Sequence, residues 1–220
     1  MLYIVGTPIG NLEDITQRAV RILGEVDFVI AEDPSHTGKL MQHLGIKKPL
    51  VKFHEQSNPS DLEMIVKRLK AGETAALVAD AGTPGVADPG GVLVEAARNK
   101  EIEVVPIPGV SAVTTLLSVA GIPTDSYLFI GFLPKKKGRM TLMKQLADID
   151  VPIVVFESPM RMAKTCQELG AALGEDRQVI IGRELTKLHE EIVETTLGDA
   201  AVIYTKTPPK GEFVMIVDHE

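Results

Sequence analysis

Apolar residues fall into short runs separated by polar turns. Leu2–Val5, Phe28–Ala31, Leu50–Phe53, Ala75–Ala79 and Val104–Ile107 are runs of strand length, each closed by Gly, Pro or acidic residues. Between them the spacing changes to that of a helix. Ile15, Ala19, Ile22 and Leu23 share one face, with Asn11 or Asp14 as cap, and so do Leu62, Ile65, Val66 and Leu69 within 61–71. A further short helix is expected over 37–44. The alternation predicts an α/β protein built on a mainly parallel, doubly wound sheet.

Gly121-Ile122-Pro123-Thr124-Asp125 interrupts the pattern, so two α/β domains are expected, 1–120 and 121–220. The second half supplies strands at 127–130, 153–156, 179–182, 190–196 and 213–217, with helices at 140–147 and 162–173. Residues 198–204 stay open between strand and helix, because Val202-Ile203-Tyr204 favours strand whereas a short helix after Thr196 fits equally well.

Ligands of such sheets bind beyond the carboxyl ends of the strands. The fullest of those ends is Ala75–Gly91, AALVADAGTPGVADPGG: a strand, a loop rich in Gly and Pro, then a helix-like run. It lacks GxxxxGK[ST] and GxGxxG, and no Lys or Arg occurs from Glu73 to Glu95. With Asp80 and Asp88 it suits hydroxyls or a cationic ligand better than a phosphate. The competing reading is a tight surface turn with helix-capping aspartates.

Hydrophobic residues make up 45% of the 220, enough for a sizeable core. No apolar run is long enough to cross a bilayer. Cys166 is the single cysteine, which fits a reducing cytoplasm; its helical setting favours a core thiol over a nucleophile. The net charge of −7 requires any nucleic-acid contact to come from a local basic patch. The one dense basic run is Lys135-Lys136-Lys137-Gly138-Arg139, which could also be a solvated linker. No dense metal-ligand spacing such as HExxH occurs, so no metal is expected.

GTPIGNLEDIT at 6–16, AED at 31–33, HE at 54–55, DAGTPGVADPG at 80–90, PIPGVSA at 106–112, ESP at 157–159, RELTKLHEE at 183–191 and KGEFVMIV at 210–217 occur in this order. Together they resemble the ribosomal RNA small-subunit methyltransferase I group of the tetrapyrrole methylase family, over almost the whole chain. The resemblance implies two α/β domains with S-adenosylmethionine in the cleft between them, a homodimer, and methyl transfer to a cytidine ribose 2′-hydroxyl in the decoding region of small-subunit ribosomal RNA, free or assembled. It implies a donor pocket lined by Pro8, Asp80, Gly82, Thr83, Pro84, Gly85, Ser111 and Ala112, with Arg183 and Gly211 on the adenine side. Ser111 also reads as a plain helix cap.

Lys135, Lys136, Lys137, Arg139 and Arg161 are the expected RNA contacts. Glu184 and Lys187 are candidates for catalysis if their segment makes a helical turn that puts both on one side. The alternative is an ion network that only fixes structure. Glu32, Asp33, His36, His54, Glu55 and Glu157 are further strand-end candidates for the proton acceptor. The chain departs from the group's pattern at Glu32–Thr37, where a basic residue is missing, and at Met160, where a histidine is usual. It also ends at Glu220, without the C-terminal helical segment many members carry. A tetrapyrrole or other small-molecule methylase and a non-catalytic donor-binding scaffold are the competing functions.

Overall fold

The computed structural model describes residues 1–219. The chain forms two compact units, Met1–Ser111 and Ala112–Glu220. The division expected at 120/121 thus falls earlier, since the helix Ala112–Leu117 packs on the sheet of the second unit.

In the first unit, β1 (Leu2–Val5), β2 (Phe28–Ala31), β3 (Leu50–Lys52), β4 (Ala75–Val78) and β5 (Val104–Ile107) form one sheet in the order β3-β2-β4-β1-β5. Every neighbouring pair is parallel. The helices are α1 (Gln17–Glu25), α2 (Pro34–His43), α3 (Pro59–Lys70) and α4 (Gly90–Arg98). Alternate strand residues feed opposite faces. Phe28, Ile30, Ala75 and Leu77 pack with Ile65, Leu69, Leu93 and Ala97 of α3 and α4. Val29, Ala31, Ala76 and Val78 pack with Ala19, Ile22, Leu23 and Met41 of α1 and α2. This is the doubly wound arrangement that continuous apolar strands call for.

Helix starts follow local chemistry. Thr16, not Asn11 or Asp14, caps α1 by accepting from Ala19 N at 3.0 Å, while Asn11 caps a 3₁₀ turn at Leu12–Asp14. Helix α2 begins at Pro34, earlier than expected, because Asp33 accepts from Ser35 N at 2.8 Å and proline suits the first helical position.

The second unit holds α5 (Ala112–Leu117), β6 (Leu128–Phe132), α6 (Arg139–Leu146), β7 (Ile153–Glu157), α7 (Met162–Leu173), β8 (Gln178–Arg183), β9 (Glu191–Thr196), α8 (Leu197–Lys206) and β10 (Phe213–Val217). Its sheet runs β6-β7-β10-β8-β9. Only β6–β7 is parallel; the other pairs are antiparallel. The expectation of a mainly parallel sheet therefore fails here. The segment 184–190 is too short for the crossover a parallel β8–β9 pair needs, so it turns back as a hairpin. Residues 198–204 are helical. Leu197, Ala200 and Ala201 are buried at helical spacing and Thr196 caps Asp199 N at 3.1 Å, which outweighs the strand preference of Val202 and Ile203.

Candidate functional site

In the first unit three loops meet at the carboxyl ends of β1, β4 and β5. The loop after β1 bonds directly to the loop after β4: Thr7 N donates to Gly82 O at 2.9 Å and Gly82 N to Thr7 O at 3.1 Å. The buried Thr7 hydroxyl lies 3.3 Å from the carbonyls of Ala79 and Gly82. The loop after β5 closes against the first through Gly6 and Gly109. A Cβ on Gly109 would lie 2.8 Å from the carbonyl carbon and oxygen of Gly6, and one on Gly6 would lie 2.8 Å from Gly109 N and Cα. Neither position admits a side chain. A Cβ on Gly82 would be 3.7 Å from Val110 O, so that loop also borders the β5 loop.

Pro8, Gly82 and Pro84 are buried, Asp80, Thr83, Ser111 and Ala112 are half-buried, and Gly85 is exposed. Pro8, Gly82–Gly85 and Ser111 therefore belong to adjoining loops. Gly82 and Gly85 have φ of +75° and +85°, which suits glycine. Gly109 was not among the expected site residues. Its signal was a glycine directly after a strand, facing another in GTP.

The acids of this region divide into two groups. Asp88 is spent within its own loop: its Oδ1 accepts from Gly85 N and Gly90 N, both at 2.7 Å. Asp80 Oδ1 accepts from Asp33 N at 3.1 Å, tying the β4 loop to the start of α2. Ser35 N holds the Asp33 carboxyl below the usual range. Glu32, half-buried, moves the other way: burial first, then the charges of Asp80 and Asp88, raise its carboxyl. Among the described residues no three His, Cys, Asp or Glu side chains converge as metal ligands.

In the second unit, Glu184 and Lys187 do lie on one side of a turn, closed by Lys187 N donating to Glu184 O at 3.0 Å. Lys187 Nζ is 2.9 Å from Glu184 Oε1 and 2.8 Å from Glu212 Oε2. Glu184 Oε1 also accepts from Glu212 N at 2.9 Å. Burial works to lower the Lys187 ammonium, but the hydrogen bonds to Glu212 and Glu184 outweigh it and leave it raised; Glu184 is held low by Lys187 and by Glu212 N. A lysine held charged between two carboxylates is no proton acceptor. A charged lysine so placed fits the ion network, or the stabilisation of a developing oxyanion, and not a base. Gly211 makes room for it, since a Cβ there would lie 2.5 Å from Glu184 Cγ. Arg183 pairs with Glu191 at 2.8 Å.

The basic residues also separate. Lys135, Lys136 and Lys137 are exposed. Arg139, grouped with them in sequence, is 4% exposed. It binds Glu168 through Nε, Pro134 O through Nη1 at 3.0 Å and Thr165 Oγ1 through Nη2 at 2.8 Å. Arg161 is likewise engaged, with Glu157 at 2.7 Å, Ser158 Oγ at 3.2 Å and Leu133 O at 2.8 Å. Both guanidiniums are thus engaged within the second unit, which weighs against their contacting phosphates. Glu157, fully buried between Arg161 and Thr165, is equally unavailable as a base. Cys166 is a core thiol, pushed up to about 12 by burial. It lines a cavity of about 370 Å³ with Gly170, Gly198 and Ala201 that contains none of the expected site residues.

Residues 1–201 match the family described as Tetrapyrrole (Corrin/Porphyrin) Methylases, which sets the class. The fold is similar to the crystal structure of diphthine synthase, with a TM-score of 0.77 at 18% identity over 99% of this chain and 89% of that one. It is also similar to uroporphyrin-III C-methyltransferase from Thermus thermophilus complexed with S-adenosylhomocysteine, with a TM-score of 0.69 at 19% identity over 98% and 96% of the two chains. In sequence the chain is 44% identical to "Ribosomal RNA small subunit methyltransferase I" of Thermotoga maritima over 98% of this chain and 97% of that protein. It is 43% identical to the protein of the same name from Synechocystis sp., over 99% of this chain and 78% of that protein. The chain belongs to the ribosomal RNA small subunit methyltransferase I group of the tetrapyrrole methylases.

Proposed function

We propose that this chain transfers a methyl group from S-adenosylmethionine to the 2′-hydroxyl of a cytidine ribose in small-subunit ribosomal RNA, acting as a cytoplasmic homodimer without a metal. The observation that carries the donor assignment is the closed three-loop cradle of the first unit, with Gly6 against Gly109 and Thr7 bridged to Gly82. Backbone amides and carbonyls, half-buried Asp80 and the absence of Lys and Arg from 73 to 95 suit a ligand that carries a sulfonium and an ammonium and no phosphate. Bound there, S-adenosylmethionine supplies an electrophilic methyl group. Pro8, Gly82–Gly85, Ser111 and Ala112 would hold it; holding it in line with the attacking oxygen supplies much of the rate.

A ribose hydroxyl attacks well only as it loses its proton. Glu32, half-buried at the end of β2 beside the loop that holds Asp80, has its carboxyl raised by burial and by the charges of Asp80 and Asp88. That raised affinity suits it to take this proton. Lys187 and Glu184 would then fix the β8–β9 turn, with Arg183 and Gly211 alongside.

The test is methyl transfer in vitro from S-adenosylmethionine to purified small subunits and to naked small-subunit RNA, with nucleoside mass spectrometry of the product. One 2′-O-methylcytidine is expected. Unmodified RNA together with methylation of a tetrapyrrole would replace this reading with the small-molecule one. Donor binding with no acceptor methylated would leave a scaffold.

A further inference from the structure

The second unit places one aromatic ring where its core has no use for it. The chain has six phenylalanines and no tryptophan, so each ring counts. Phe28, Phe53 and Phe213 are buried, and Phe129 and Phe156 are half-buried. Phe132, at the end of edge strand β6, is 55% exposed. Its ring lies 5.5 Å from that of Phe156 on β7, which in turn lies 5.2 Å from Phe129. Phe156 lies between the two rings of β6, and Phe132 is the most exposed of the three. The rings are on the sheet face opposite α6, α7 and α8, where α5 packs against β10 and Val154 is buried, while Phe132 at the β6 edge stays exposed. Ile153 and Val155, which alternate with Phe156 along β7, are the residues that pack against those helices.

Lys135, Lys136 and Lys137 follow Phe132 within roughly 10 to 18 Å of extended chain. Among the described residues no carboxylate pairs with any of them. Their loop is nonetheless held from beneath. Arg161 binds the carbonyl of Leu133 at 2.8 Å and Arg139 that of Pro134 at 3.0 Å, and each guanidinium is backed by a glutamate. Met160, 96% exposed, and Met140, 62% exposed, are the chain neighbours of those two arginines.

The geometry points to a docking surface for single-stranded RNA, in which an unpaired base stacks on Phe132 and Lys135–Lys137 follow the adjoining phosphates. The inference rests on the RNA reading above and adds how the strand is held. An apolar partner would leave three ammonium groups without counter-charges, and a duplex would hide the base faces from the ring. A flexible strand with exposed bases and one charge per nucleotide meets both features at once.

The test uses the full-length protein with fluorescein-labelled oligocytidylate and a duplex of equal length, titrated at several salt concentrations. Preference for the single strand is expected. Phe132→Ala should weaken it about ten- to a hundredfold with an unchanged salt slope, and Phe132→Trp should restore it. Changing Lys135, Lys136 and Lys137 together to Gln should lower the slope of log affinity against log salt by about two. On small subunits Phe132→Ala should raise KM and leave donor affinity as it was. Unaltered binding and KM in Phe132→Ala, with wild type still methylating subunits, overturns this surface and leaves the proposed function standing. Wild type that neither binds nor methylates RNA overturns the function instead. A change of oligomeric state in Phe132→Ala on sedimentation, without loss of RNA affinity, would give the ring to a second copy of the chain.

Discussion

Replacing Lys187 by alanine separates a structural lysine from a catalytic one. Its ammonium touches Glu184 and Glu212, at 2.9 and 2.8 Å. The Glu212 carboxylate is 75% exposed, so that half of the network contributes almost nothing. The Glu184 half is better enclosed, with side chains 28% and 20% exposed, and Glu184 keeps its bond from Glu212 N when the lysine goes. The loss is then about 1–2 kcal/mol. For a chain of this size that lowers Tm by roughly 2–8 °C. Catalysis is expected to survive, with turnover per folded molecule within about twofold, because the ammonium takes no proton and its charge is already met by two carboxylates rather than offered to a developing oxyanion.

The pH dependence carries the sign. Glu184 is depressed in the fold, so its contribution is present above the ordinary carboxylate range and is lost as pH falls through the lowered value. Lys187 is raised, so its contribution is present below the ordinary lysine range and is lost as pH rises through the raised value. The Tm gap between wild type and Lys187→Ala should be widest between these limits and close at acid pH. Calorimetric melting across pH, beside single-turnover methyl transfer and donor titration, reads all of this. A drop in turnover of about a hundredfold or more with an unmoved Tm would refute the reasoning and restore Lys187 as catalytic.

Gly109→Ala forces a methyl group onto the Gly6 backbone, where no rotamer offers an escape; about 1–3 kcal/mol of stability and at least tenfold in donor affinity should be lost, read by melting with and without donor. Gly91→Ala, inside α4 and meeting nothing within 4 Å, is the matched control and should leave donor affinity as it was while adding about 0.4–1 kcal/mol of stability. Arg139→Ala removes a buried guanidinium that joins the half-buried Glu168, Thr165 and the carbonyl of Pro134, and should cost about 1–3 kcal/mol in urea unfolding, with Lys a poor substitute for the three-way fork. Glu32→Gln should raise Tm at neutral pH and leave it unchanged near the acid end, because a raised carboxyl weakens the fold only once ionised; turnover should fall by about a hundredfold if Glu32 takes the ribose proton.

The first unit was legible because each strand is apolar on both faces and each helix on one, so periodicity alone separates them. Loop chemistry was legible for the same reason: glycine, proline and aspartate have few other uses after a buried strand. The second sheet was not. Strand direction depends on which segments meet, and β10, last in the chain, inserts between β7 and β8. The burial of Arg139 was not legible because a run of basic residues looks uniform in sequence. Its burial depends on Glu168 and Thr165, which α7 brings up from far along the chain. The Glu184–Lys187 turn was readable as spacing only, since Glu212 arrives from the opposite end of the unit.

The strand order of the first sheet also bears on synthesis. Leu2–Val5 leaves the ribosome before the other strands of its sheet, yet its neighbours are Ala75–Val78 and Val104–Ile107. Nothing nearer in the chain pairs with it. An apolar strand must therefore wait, unpaired at both edges until Val78 has been made and at one edge until Ile107, at about 5–20 residues per second. Parallel pairs of this separation also form slowly, because loop closure precedes any reward from contact. The nascent first unit is thus the stage at which this chain most needs a chaperone, and slowing translation after residue 107 should raise its soluble yield more than slowing it before.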